Sequence, residues 1–481
     1  MTGQVTTTAR KAAADAGGAS GTGDPHGSTQ RLLDDAAARA TRYLSGLGDR
    51  AVRPDPAAVD ALASLRRPLP EYGDDPSAVL AELDTIGSPA TMAMAGPRFY
   101  GFVIGGALPV TVAANWLATA WDQNAVLYNP TPSAAVFEQV ALDWTLALLG
   151  LPATAAGAFV TGATTANACA LAAARHAVLD RVGWNVEADG LFGAPPITVI
   201  VGGEVHPSVT KALGLVGLGR TRVHPVPVDG QGRMLVDALP PIAGPTIICA
   251  QAGNVNTGAF DDVGAISARV RGTGAWVHVD GAFGLWAAAS PKLAHLAPGL
   301  ADADSWATDY HKWLNVPYDS GLAVVRDGHA LKAAMAITAE YLPTETPFRN
   351  PADFTPELSR RARGVDVWAA IRSLGSHGVA ELINRTCAHA RRFAEGLRAA
   401  GYEVLNDVTL NQVLVAFGDA GMTQRVIDAI QAEGTSWAGI TVWQGRTAMR
   451  ISVSSWATTA DDVERSLEAM VRVARATTAG A

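Results

Sequence analysis

The chain has 481 residues, 48% of them hydrophobic and 17% charged, with a formal charge of −8. That length corresponds to about two to three domains and to a large buried core. The acidic balance, without any Lys/Arg block, argues against a nucleic-acid partner and gives no attractive field for acidic substrates. Three widely spaced cysteines, Cys169, Cys249 and Cys387, make no disulfide framework and fit a reducing, cytoplasmic setting.

Residues 1–27 are rich in Ala, Gly, Thr and Ser and read as a disordered tail, not a secretory signal. Helical spacing begins at Ser28 and runs through Leu32, Leu33, Ala36, Ala40, Tyr43, Leu44 and Leu47. A second helical piece follows Pro76 through Val79, Leu80, Leu83 and Ile86, which together predict an N-terminal helical segment over 28–95. Beyond Pro97, candidate strands at 158–160, 197–201, 222–228, 246–250, 276–279, 306–308 and 322–325 alternate with helical stretches. Strands so nearly continuous in apolar residues predict an α/β fold, a doubly wound, mainly parallel sheet in a large domain over 96–364. From Val365 the order helix 367–397, strands 403–405 and 413–417, helix 423–433, strand 449–453 and helix 461–474 predicts a small C-terminal α+β domain over 365–481. The apolar run 146–160 is broken by Gly150, Pro152 and Gly157, so it reads as helix end, turn and strand rather than a membrane span.

Two charges stand where apolar residues are expected. Lys312 lies between His311 and Trp313 just beyond an apolar strand, and Asp280 ends the strand Trp276-Val277-His278-Val279. An amine in such surroundings is a candidate Schiff-base nucleophile. A lysine to hold an aldehyde and a carboxylate to keep a pyridine nitrogen protonated are what pyridoxal phosphate needs. The small residues of Thr161-Gly162-Ala163-Thr164-Thr165-Ala166-Asn167, between a strand and a helix, can leave backbone N–H groups for an anion, or form an ordinary helix start. His278, two residues before Asp280, points to the same sheet face and either orients Asp280 or is a packed histidine. A metal reading of His206, His278, Asp280 and His311 lacks the short helical spacing of zinc motifs, so no metal is expected. Arg450, within a strand, offers a planar fork for a carboxylate, whereas Arg360, Arg361 and Arg363 read as structural.

The ordered set His206, Asp280, Ala282, His311-Lys312 and Arg450 resembles the pyridoxal-phosphate-dependent group II amino-acid decarboxylases, the family of the aromatic amino-acid, glutamate and histidine decarboxylases. The resemblance implies the aspartate aminotransferase-like fold, fold type I, with pyridoxal 5'-phosphate bound to Lys312. It places Ala163, Thr164 and Thr165 at the phosphate, His206 on one ring face near the substrate carboxylate, and Ala282 on the other face. Asp280 then serves the ring nitrogen, His311 reaches the phosphate or the substrate, and Arg450 takes the α-carboxylate. Tyr341, in a loop over 336–350 that reads as a lid, matches the tyrosine that returns a proton to the α-carbon, which favours simple decarboxylation.

Two departures accompany the match. Asp309 stands where some members have Asn, and its role is open. Asn254 and Val255 replace two threonines, so Asn254 either takes over a hydrogen bond to the cofactor or belongs to a plain strand-end loop. The side-chain pocket falls on Phe102, Ile104, Asn124 and Val126. Where glutamate decarboxylases have polar groups this chain has Phe102 and Ile104, and a distal carboxylate beside them would be left unpaired. An aromatic or apolar L-amino acid converted to its amine and carbon dioxide is therefore expected, with Asn124 leaving room for a hydroxylated or amide-bearing one. The N-terminal segment of the family packs on a partner subunit, which implies a homodimer with the active site at the interface. Rival readings are a decarboxylation-dependent aldehyde synthase, a carbon–carbon lyase, an aminotransferase or a non-catalytic paralogue.

Overall fold

The computed structural model describes residues 25–337 and 348–479. The chain divides into two units, one formed by residues up to Leu47 with Pro54–Thr91, the other by Gly48–Arg53 with the chain from Met92 onward. The first is helical. Its long helix α1 (Pro25–Gly46) is tied to the Leu83–Gly87 turn by Arg39 and Arg42, each 3.0 Å from Asp84.

The second unit holds two sheets. The larger contains β1 (Ala156–Val160), β2 (Thr198–Gly202), β3 (His224–Val226), β4 (Thr246–Gln251), β5 (Trp276–Asp280), β6 (Ser305–Asp309) and β7 (Gly321–Val325), in the order β1-β7-β6-β5-β4-β2-β3. Its pairs are parallel except those made by β7, which runs against both β1 and β6. The carboxyl ends of β1, β2, β4, β5 and β6 therefore share one edge with the start of β7, the edge where open α/β sheets bind ligands. Side chains alternate between two apolar cores. Phe159, Ile200, Ile248, Val277, Val279 and Trp306 enter one, and Val160, Val199, Val201, Cys249, Trp276 and Ala307 the other. His278 and Asp280 follow Trp276 in that alternation, so both face the second core.

Helices α2 (Pro109–Trp121) and α3 (Pro132–Leu149) precede the sheet, and α4 (Ala163–Asp180) and α5 (Pro207–Leu215) follow β1 and β2. The buried face of α4 is mostly alanine, which lets the helix lie close to the sheet, and Asn167 is wholly buried among Ala166, Cys169 and Ala170. Helix α6 (Arg363–Ala399) breaks at Gly375, whose φ of 61° suits glycine, and leads into β8 (Glu403–Val404) and β9 (Gln412–Ala416). Helix α7 (Ala420–Glu433), β10 (Gly439–Trp443), β11 (Arg446–Ser452) and α8 (Ala460–Ala479) complete an antiparallel sheet of order β10-β11-β9-β8. Strand β10 has no counterpart in the sequence reading because it is an edge strand with Ile440 and Val442 exposed, so it lacks the buried run that marked the others. Among the described residues no helix is long and apolar enough to cross a membrane. The three cysteines are free and buried, and burial pushes each thiol up to about 12.

Candidate active site

Lys312 lies in the turn after β6, and that turn is held by Asn315 and Gly105. Asn315, fully buried in a left-handed conformation (φ 57°), donates from Nδ2 to the Trp313 carbonyl at 2.8 Å and the Ser454 carbonyl at 3.0 Å. Its Oδ1 accepts the Trp456 N–H at 2.8 Å. Gly105 packs against this same turn so tightly that a Cβ would sit 2.1 Å from the Lys312 carbonyl oxygen and 2.7 Å from Asn315 Nδ2. Asn315 was not singled out from sequence; its signal was a polar residue closing the lysine motif.

Asp309 organises the neighbourhood of the amine. One carboxylate oxygen lies 3.0 Å from Lys312 Nζ and 3.6 Å from His311 Nε2, and the other accepts the Ala163 N–H at 2.6 Å, at the first residue of α4. The residue whose role was open in the sequence thus joins the lysine turn to the proposed phosphate loop. His311 Nδ1 accepts the Ser320 N–H at 3.1 Å, which turns its Nε2 toward Asp309, and burial lowers its pKa. Thr165 Oγ1 lies 2.9 Å from Thr161 Oγ1, and Thr164 is half-buried in the same turn.

Asp280 is buried at the end of β5 and accepts from the Ala282 N–H at 3.2 Å, Asn167 Nδ2 at 3.3 Å and Ser208 Oγ at 3.3 Å. The Ala282 carbonyl receives the Asp309 N–H at 2.9 Å, so the ends of β5 and β6 are locked together. His278 does not touch Asp280. Its Nε2 lies 2.8 Å from Asn167 Oδ1, and burial lowers its pKa to about 4. His206 caps α5, where its Nδ1 accepts the Ser208 N–H at 3.2 Å. Burial lowers the His206 pKa, and the charges acting on the ring are those of Asp280, Lys312, Arg450 and Asp309. Ser208 joins the ring to Asp280, its Oγ lying 2.7 Å from His206 Nδ1 and 3.3 Å from an Asp280 carboxylate oxygen.

Arg450, on β11, reaches the Val255 carbonyl at 3.3 Å and Asn256 Oδ1 at 3.5 Å, and burial pushes its pKa down to about 10. Among the described residues no carboxylate pairs with it. The segment carrying Phe102 and Ile104 lies against the same strand, through the Ser452 N–H to Tyr100 carbonyl bond of 2.9 Å and Ser452 Oγ to Phe102 carbonyl bond of 2.6 Å. Ile104 is buried, whereas Phe102 is 58% exposed and stacks at 5.9 Å on Trp437, itself 5.1 Å from Phe99.

Other sequence candidates are committed elsewhere. Asn254 donates from Nδ2 to Glu204 at 3.1 Å, and its Oδ1 accepts the Asn256 and Thr257 N–H groups, which closes its own loop. Asn124 accepts the Arg360 N–H at 3.0 Å and points its amide nitrogen to Ser359 Oγ, and the Val126 carbonyl receives the Ala352 N–H. Tyr341 lies outside the described residues. Arg360 and Arg349 share buried Glu138.

The family model of the pyridoxal-dependent decarboxylase conserved domain matches residues 60–418. The chain belongs to the pyridoxal-dependent decarboxylases. Relatives of this decarboxylase include tryptophan decarboxylase 1 of Oryza sativa subsp. japonica, 28% identical over 81% of this chain and 83% of that protein. L-2,4-diaminobutyrate decarboxylase of Rhizobium meliloti (strain 1021) is 29% identical over 85% of this chain and 84% of that protein. The crystal structure of Oryza sativa TDC with PLP and tryptamine shares the fold, with a TM-score of 0.85 at 24% identity over 93% of this chain and 98% of that one. The decarboxylase is a carboxy-lyase that uses pyridoxal phosphate, and its α/β architecture is that of the expected fold type.

The residues present fit that cofactor. An amine, a carboxylate, an imidazole and a helix N-terminus stand at one sheet edge, and Gly321 lets the start of β7 pack directly on the loop before α4, since a Cβ would sit 2.6 Å from Gly162 Cα.

Proposed function

We propose that this decarboxylase converts an L-amino acid with an aromatic or apolar side chain to its amine and carbon dioxide, with Lys312 holding the cofactor's aldehyde. The hydrogen-bonded cluster at one sheet edge, where Asp309 joins Lys312 to the Ala163 N–H and Ser208 joins His206 to Asp280, supports the reading. Asp280 would meet the ring nitrogen, Ala282 and His206 the two ring faces, and the N–H groups of Ala163, Thr164 and Thr165, with His311, the phosphate. Bound pyridoxal phosphate supplies an electron sink for the bond that breaks at the α-carbon.

The chain's own part is orientation. Arg450, a half-buried guanidinium without a carboxylate partner among the described residues, takes the substrate α-carboxylate through its fork. His206 Nδ1 is committed to Ser208, so Nε2 is the atom left to face the substrate. Tyr341 in the sequence supports return of a proton to the α-carbon and simple decarboxylation. The exposed face of Phe102, backed by Trp437, and buried Ile104 support an apolar side-chain pocket. Exposed Val110, Trp116, Leu117 and Trp121 on α2 support a homodimer, and the three free cysteines support a cytoplasmic setting.

Carbon dioxide release over aromatic, aliphatic, diamino and acidic L-amino acids, with products identified by mass spectrometry, tests the reading. Amine from an aromatic or apolar member supports it. Turnover confined to glutamate, aspartate or a diamino acid refutes the pocket assignment, and an aldehyde product refutes simple decarboxylation.

A further inference from the structure

We propose that Asn167 and His278 are positioning residues for Asp280, the last links of a one-way hydrogen-bond chain that starts at Trp276 and brings the carboxylate a neutral donor rather than a cation. The inference rests on the reading that Asp280 serves the ring nitrogen.

Every proton in the chain can be assigned from donor chemistry together with the neutral state that burial gives His278. Asp280 as a carboxylate only accepts, so the Asn167 group 3.3 Å from it is the NH₂. Asn167 Oδ1 then faces His278 Nε2 at 2.8 Å, and that nitrogen must carry the proton. Burial keeps the imidazole neutral, which makes Nδ1 an acceptor. Ser305 Oγ, 2.9 Å away, must donate to it. Ser305 in turn accepts from Trp276 Nε1 at 2.8 Å, and an indole N–H can only donate. The four side chains are at most 1% exposed, so no water is needed to complete the chain or available to reverse it.

The arrangement has a chemical consequence. An imidazole in direct contact with Asp280 could take a proton and become the carboxylate's counter-ion, in competition with a protonated pyridine. Here an amide stands between them. An amide donates a hydrogen bond without passing a proton on, so Asp280 is held in place while its charge is left for the cofactor ring. Ser208 adds a second neutral contact at 3.3 Å, and its single proton is shared with His206 Nδ1 at 2.7 Å.

The unaltered protein gives the first test. In nitrogen NMR of histidine-labelled, cofactor-free protein at neutral pH, with His278 assigned from His278→Gln, a neutral ring protonated on Nε2 is expected. A proton on Nδ1, or on both nitrogens, overturns the proposal. The second test reads the ring nitrogen of labelled pyridoxal phosphate bound to variants. His278→Phe is expected to move that resonance toward the unprotonated position and to weaken cofactor binding about tenfold, the size of one lost hydrogen bond. His278→Gln, which can still donate to Asn167, should restore both. Asn167→Asp, of equal volume but with an acceptor facing Asp280, should perturb the resonance at least as much and serves if His278→Phe does not fold. A purely structural role would lower thermal stability and leave the resonance in place, and that result overturns the proposal. Asp280→Asn separates the two levels: if it leaves the resonance unmoved, the reading of Asp280 itself fails, and if it moves it while the other variants do not, only the chain fails.

Discussion

Replacing Asp309 with Asn removes one charge and almost no volume at the junction between the lysine turn and the start of α4. In the cofactor-free protein the carboxylate is 3% exposed, lies 3.0 Å from Lys312 Nζ and accepts the Ala163 N–H at 2.6 Å. Removing one partner of a buried ion pair costs roughly 3–5 kcal/mol, and because the Lys312 side chain is 21% exposed the lower end, about 3 kcal/mol, applies. With cofactor bound the account differs. On the proposed reading the lysine would be engaged by the aldehyde, and a phosphate at the start of α4 would meet Asp309 as a like charge, so less would be lost. A difference of about 1.4 kcal/mol between the two states corresponds to about tenfold tighter cofactor binding by Asp309→Asn. Thermal unfolding of both forms, with fluorescence titration of cofactor into the cofactor-free form, measures the two quantities. Equal destabilisation of both forms, or weaker cofactor binding by the variant, refutes the reasoning.

Three further outcomes are expected. Glu138→Gln leaves the guanidinium groups of Arg349 and Arg360 buried without their shared carboxylate and should cost about 3–5 kcal/mol, read as a lower urea midpoint in the cofactor-loaded enzyme. Burial raises the Asp366 pKa from 3.8 to about 6, and its Oδ1 has no hydrogen-bond partner. A raised folded pKa gives a contribution that is complete below about pH 3.8 and lost as pH rises through about 6. Asp366→Asn, which keeps an acceptor for Asn115, should thus gain about 3 kcal/mol over wild type at pH 8 and little at pH 4, in denaturation at the two values. Arg450→Lys loses the planar fork, so KM should rise about tenfold or more while cofactor affinity holds. An unchanged KM would remove Arg450 from the α-carboxylate.

Much of the fold was legible because seven short, apolar segments separated by helical ones admit few arrangements. Lys312, Asp280 and Arg450 were legible as candidates because a charge in an apolar strand, or at its end, is conspicuous. The residues that arrange them were not. Asn167, Ser208 and Ser305 are types that usually cap helices or close turns, and only burial in three dimensions separates those uses from a contact with Asp280 or, for Ser305, with His278. Asn124 and Asn254 show the same limit, since the sequence marks amides in loops but not that Asn124 meets Ser359 and Arg360 or that Asn254 meets Glu204. Asp309 shows a second limit: the sequence marks an acidic residue beside His311 and Lys312 but not which backbone N–H its second oxygen will meet.

The turn after Lys312 has a bearing on how the protein is made. Asn315 closes it with the carbonyl of Ser454 and the N–H of Trp456, which lie 139 and 141 positions later in the chain. A ribosome must finish nearly the whole polypeptide before those two groups exist. Until then the seven-stranded sheet can be complete while the Lys312 turn still lacks its fixed place, so a truncated product ending before Ser454 would be a folded sheet without a fixed Lys312.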